Sequence, residues 1–132
     1  MATVTVNVIQ ISNTTSKGTA RGFELKMDRP LEKGGTNEGM MGGEALLNSL
    51  GGCFMSNLLA AARARTCDLS HARAEIEGEI AESPARFSAI HMRISAECNP
   101  PDLLDKLVRV AERGCIVANT LKAAVELNIE IL

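Results

Sequence analysis

The chain has 132 residues, 45% of them apolar and 23% charged, which suits one globular domain with a real core and excludes a disordered chain. Its net charge of −2, with no Trp, no Tyr and only three Phe, excludes the basic surfaces and aromatic stacking platforms of nucleic-acid binding. No signal-peptide pattern and no run of about 18 apolar residues is present, so the expectation is a cytoplasmic protein with no membrane span.

The first element expected is a strand over Thr3–Ile9, where apolar and polar residues alternate. Ser12–Gly18 has the composition of a turn, and alternation resumes over Arg21–Asp28, giving an N-terminal hairpin. Lys33–Gly39 reads as a flexible connection. A long apolar helix then runs from Gly42 to about Arg65, with one stripe through Leu46, Leu50, Cys53 and Asn57 and another through Leu47, Leu50, Phe54, Leu58 and Ala61. Apolar residues surround most of this cylinder, as in a helix buried inside a domain. Gly51 and Gly52 precede Cys53; helical glycine costs about 1 kcal/mol relative to Ala, so a packing or access role is implied. Strands are expected over His71–Ile80 and Phe87–Cys98, joined by a turn at Glu82–Arg86. Asn99-Pro100-Pro101-Asp102 marks a helix start, Gly114 its stop, and Cys115–Ala124 a second short helix. Val125–Leu132 alternates and reads as a closing strand. The order β-β-α-β-β-α-α-β is an α+β arrangement, with one domain over residues 1–132.

The four cysteines stand 14, 31 and 17 residues apart, which matches no zinc-site or CxxC pattern, and two histidines are too few for a metal cluster. Neither a metal nor an organic cofactor is therefore expected. Taken alone, Cys53 reads as a small core hydrophobe, and Cys67 and Cys98 as structural. His71 and His91 read as ordinary surface or packing residues.

Two motifs change the reading of Cys53. Glu44-x-Leu-Leu-x-Ser-Leu-Gly-Gly-Cys53 on the long helix, followed by Cys115-x-Val-x-Asn-Thr-Leu-Lys122, resembles the OsmC/Ohr superfamily of osmotically inducible and organic hydroperoxide resistance proteins. The stretch from Glu75 to Met92 resembles the paired strands of the same family. The resemblance implies the OsmC-like fold, a long central helix packed on antiparallel sheet, in an intertwined homodimer with its sites at the subunit interface. It maps a peroxidatic cysteine onto Cys53 and a resolving cysteine onto Cys115. The implied activity is reduction of organic hydroperoxides or peroxide, with a dithiol as reductant. An arginine from the N-terminal strand region would lower the Cys53 thiol; Arg21 is the first candidate, ahead of Arg29 and Lys17. Glu44 is the candidate carboxylate that orients it. On one straight helix Glu44 and Cys53 would lie ~14 Å apart along the axis and ~180° apart around it. The chain departs from the peroxidase pattern in the register of Glu44 and in carrying Ile116, where the family has a proline after the second cysteine. The alternatives are a small-ligand-binding domain, with Met40, Met41 and Met55 lining its pocket, and a redox sensor.

Overall fold

In a computed structural model, which describes residues 2–132, the chain forms two compact units, one ending at Leu46 and one spanning Leu47–Leu132.

The first unit is a three-stranded antiparallel sheet of β1 (Asn7–Gln10), β2 (Ser16–Ala20) and β3 (Phe23–Met27), in that order. The expected turn over Ser12–Gly18 is shorter than its composition suggests. Ser12 Oγ accepts from the amides of Thr14 and Thr15, and the strand begins at Ser16. Ser16–Ala20 forms a strand because it lies between two partners that satisfy both its edges, pairing Asn7 with Thr19 and Ser16 with Met27. The turn between β2 and β3 is Arg21-Gly22, both at positive φ (51° and 89°), the geometry of a tight hairpin.

The connection after β3 is held and not flexible. Asp28, 5% exposed, accepts from the Thr15 and Thr36 hydroxyls at 2.8 and 2.7 Å and from the amides of Arg29 and Glu38 at 2.7 and 3.1 Å. A single 3₁₀ turn, Leu31–Lys33, lies inside this loop. Gly35 passes so close to the Arg29 carbonyl that a Cβ would stand 2.0 Å from its oxygen. Burial pushes the Asp28 carboxyl up, but the Thr36, Thr15, Glu38 and Arg29 donors outweigh it and hold it well below the ordinary carboxylate range. A depressed folded-state pKa contributes stability that is present above pH ~4 and lost as pH falls through the folded value. Asp28→Asn is expected to flatten the acid limb of a stability–pH profile measured by urea unfolding; an unchanged acid slope would contradict this.

The second unit contains most of α1 (Gly42–Ala64), the hairpin of β4 (Asp68–Ala81) and β5 (Arg86–Asn99), and helices α2 (Leu103–Gly114) and α3 (Ile116–Leu121). By length and composition α1 would also suit a membrane span. Its Leu50, Phe54, Leu58, Ala61 and Ala62 instead join Leu107 and Ala111 of α2, Cys115 and Ala118 in one buried cluster. Ile76 of β4 and Ile90, Met92 and Ile94 of β5 pack against that cluster. The opposite face of the hairpin is charged: Arg93 pairs with Glu75 at 3.2 Å, His91 with Glu79 at 3.2 Å, and His71 with Glu97 at 3.3 Å. Both histidines are thus surface residues. α2 begins where the Pro-Pro-Asp signal places it, although the Asp102 side chain makes no capping bond.

The fold is α+β, with antiparallel sheets and a long helix, but its element order is β-β-β-α-β-β-α-α. The expected closing strand is not formed. Val125–Leu132 has no regular structure, and Leu127, Ile129 and Ile131 are 79, 89 and 99% exposed. Alternation gives such a segment one apolar face, but a strand also needs a free edge to pair with, and among the described residues neither sheet hydrogen-bonds it.

Candidate active site

The site is built where α1 meets the junction between α2 and α3. α1 is helical through its glycines, and each has a different surrounding. A Cβ on Gly51 would come within 2.7 Å of Ile76 Cδ1, so this glycine lets the hairpin pack against the helix. A Cβ on Gly52 would meet nothing within 4 Å, so the residue before Cys53 leaves open space beside it. Cys53 is half-buried. Asn57, one turn on, donates from Nδ2 to the Cys53 carbonyl at 2.9 Å and lies 4.0 Å from the sulfur. Gly114 makes room for that amide: a Cβ there would stand 2.9 Å from Asn57 Oδ1.

Cys115 is fully buried at the entry to α3, where its sulfur accepts from the Ala118 amide at 3.4 Å and caps the helix. Cys53 and Cys115 are electrostatic neighbours: the backbone amides of Val117 and Ile116 and the Cys115 side chain act on the Cys53 thiol as hydrogen-bonding groups. Burial pushes the Cys53 thiol up, but these three donors outweigh it and hold it below the ordinary thiol range. Burial pushes Cys115 up as well; its bond to Cys53 and the charge that Cys53 can carry add to this, against the Ala118 and Val117 amides. The two sulfurs are therefore unequal. Of the two, Cys53 is the one whose thiolate form is favoured.

The remaining expected residues lie in the first unit. Arg21 occupies the hairpin turn, its guanidinium 5.4 Å from the centre of the Phe23 ring, a cation–π contact. Arg29 donates its amide to Asp28 and accepts from the Asn37 amide. Glu44 stands in the first turn of α1, where its Oε1 accepts from the Met41 amide at 2.8 Å, as a residue at a helix N-terminus commonly does. The lowered Cys53 thiol owes its shift to hydrogen bonds, two of them from backbone. Sequence reasoning missed Asn57, Ile116 and Val117 as contributors. Asn57 was legible as the next polar residue on the Cys53 stripe; backbone amides carry no side-chain signature. Among the described residues, no group of three or more His, Cys, Asp or Glu side chains is placed to hold a metal ion.

The family model described as OsmC-like protein matches residues 35–130. The chain belongs to the OsmC family. Solved OsmC-like structures share its fold. An OsmC-like protein from Mycoplasma pneumoniae superposes with TM-score 0.79 at 16% identity, over 92% of this chain and 88% of that one. An organic hydroperoxide resistance protein, OsmC, from Legionella pneumophila gives 0.64 at 19% identity over 92% and 90%. An organic hydroperoxide resistance protein from Elizabethkingia anophelis gives 0.58 at 17% identity over 96% and 92%. No curated protein matches the sequence. Within this OsmC protein, Ile116 has a consequence that a proline at the same place could not have: it supplies an N–H to Cys53. Ile116→Pro is expected to preserve the fold, because Ile116 is the first residue of α3 and Cys115 is already extended (ψ 108°). It should raise the Cys53 thiol and slow its alkylation at neutral pH, whereas Ile116→Ala should not. Identical pH profiles of iodoacetamide labelling for the two variants would contradict the amide's role.

Proposed function

We propose that this OsmC protein is a thiol-dependent peroxidase that reduces organic hydroperoxides or peroxide through Cys53 and Cys115. What supports the reading is the neighbouring pair on α1 and at the entry to α3, with the Cys53 thiol shifted down and the Cys115 thiol shifted up. The Cys53 thiolate attacks the peroxide oxygen, the O–O bond breaks, and the alkoxide leaves with a proton as alcohol. Cys53 becomes a sulfenic acid. Cys115 then attacks that sulfur and expels water, closing the Cys53–Cys115 disulfide. Two electrons have passed from the two thiols to the peroxide. An external dithiol restores both thiols by exchange. Arg21 and Glu44 belong to the proposed set as supporting residues. Arg21→Ala and Glu44→Ala are its test, and a fall of about tenfold or more in rate with the fold intact supports them.

We further infer a homodimer. The apolar side chains of Val8, Val125, Leu127, Ile129 and Ile131 are more than half exposed, and a partner subunit would cover such residues. A reducing, cytoplasmic setting, in which the four cysteines would stay as thiols, belongs to the same proposal. The direct assay is stopped-flow mixing of reduced protein with cumene hydroperoxide, followed by turnover with a small dithiol. Peroxide consumption beyond one equivalent per chain supports the peroxidase. No consumption, with Cys53 still alkylatable, would overturn it and leave small-ligand binding as the reading.

A further inference from the structure

A second pair of cysteines, separate from Cys53 and Cys115, meets at the open end of the β4–β5 hairpin. Cys67 follows α1, its amide bonded to the Ala62 carbonyl at 2.9 Å, and stands one residue before β4. Cys98 is the penultimate residue of β5. The ladder pairs Asp68 with Asn99 and Leu69 with Cys98, which sets Cys67 and Cys98 diagonally on the same, inward face of the hairpin. Their sulfurs are 3.1 Å apart. That is about 1 Å longer than a disulfide bond of ~2.05 Å, so closing it asks for a side-chain adjustment. Both thiols are half-buried beside the core. Each also faces a carbonyl at the β5–α2 junction: Cys98 donates to Pro100 O at 3.3 Å and Cys67 to Asn99 O at 3.7 Å.

We propose that Cys67 and Cys98 are a second redox-active dithiol, which closes to an intramolecular disulfide by exchange with a small-molecule disulfide, independently of Cys53 and Cys115. The Cys67 thiolate attacks one sulfur of the external disulfide and expels the first small thiolate. Cys98 then loses its proton to solvent and attacks the Cys67 sulfur of the mixed disulfide, expelling the second. The protons given up by the two cysteines are taken up by the two released thiols, and two electrons pass to the external disulfide. The Cys98 thiol is pushed up to about 11, first by its hydrogen bond to Cys67, then by burial and by the negative charge of Cys67, Asp102 and Asp68. Cys98 therefore needs to lose its proton before it attacks, which makes that second step the slower one at neutral pH. The closed bond ties the end of α1 to the entry of α2 across 31 residues of chain.

The test uses the full chain carrying Cys53→Ser and Cys115→Ser, so that it is indifferent to the fate of the peroxidase reading. The reduced protein is equilibrated anaerobically with oxidised and reduced glutathione, alkylated after denaturation and mapped by mass spectrometry. Under oxidising ratios the expected result is the loss of both alkylatable thiols, a Cys67–Cys98 linked peptide and a chain of single-polypeptide mass on a non-reducing gel. The thermal midpoint should move upward on oxidation and return on reduction. Adding Cys98→Ser should arrest the chain with glutathione on Cys67. If the double-serine variant does not fold, the wild type mapped in the same way must still give the linked peptide. Thiols that stay alkylatable at every ratio, or that are found only as mixed or intermolecular disulfides, overturn the proposal.

Discussion

Cys53→Ser is expected to abolish peroxide consumption, and Cys115→Ser to stop the reaction at the sulfenic acid after one turnover. The two substitutions separate because the sulfurs are unequal. Serine at position 53 removes the sulfur whose thiolate form the Val117, Cys115 and Ile116 groups favour. Serine at position 115 keeps a donor beside Cys53 but leaves no sulfur to attack the sulfenic acid. Rapid-quench trapping with a sulfenic-acid reagent reads the difference. Cys115→Ser should label stoichiometrically and Cys53→Ser not at all, with the steady-state rate of each reduced by at least about a thousandfold. Equal labelling of the two variants would place the chemistry elsewhere.

Phe54→Ala is expected to destabilise the protein by about 3–5 kcal/mol. Phe54 follows Cys53 directly but is itself 1% exposed, in the cluster it shares with Leu58, Leu107 and Ala111. No larger side chain in that cluster is available to close the cavity, because the chain lacks Trp and Tyr. The midpoint of urea unfolding should fall with little change in slope. A loss under about 1 kcal/mol would mean that the α1–α2 contact is not the core of this unit. The result matters for the site as well, since the same contact sets the α2–α3 junction that carries Cys115 against Cys53.

Elements that announce themselves by periodicity were legible: the long helix, the paired strands that became β4 and β5, and the Pro-Pro-Asp start of α2. The failures have specific physical causes. Ser16-Lys17-Gly18 has turn composition, yet forms the central strand of its sheet because both its edges find partners. Lys33–Gly39 looked flexible because its glycines and polar residues carry no period, while the restraint on it is one buried carboxylate, Asp28. Val125–Leu132 has the alternation of a strand, but pattern alone supplies no edge for it. At the site, Cys53 and Cys115 are linked in the sequence only by the family resemblance that two motifs together carry. The hydrogen-bonding groups that act on Cys53 were not legible, because the amides of Ile116 and Val117 carry no side-chain signature. Cys67 and Cys98 illustrate the same limit: 31 residues apart and in no motif, they meet only through the register of a hairpin.

The proposed function requires Cys53 and Cys115 to be a working redox pair. The most direct test is peptide mapping of reduced wild-type protein after one equivalent of cumene hydroperoxide, with free thiols blocked at once under denaturing conditions. The expected result is an intramolecular Cys53–Cys115 disulfide, formed with peroxide and absent without it. Recovery of Cys53 and Cys115 as free, alkylated thiols after the peroxide treatment would contradict the proposed function.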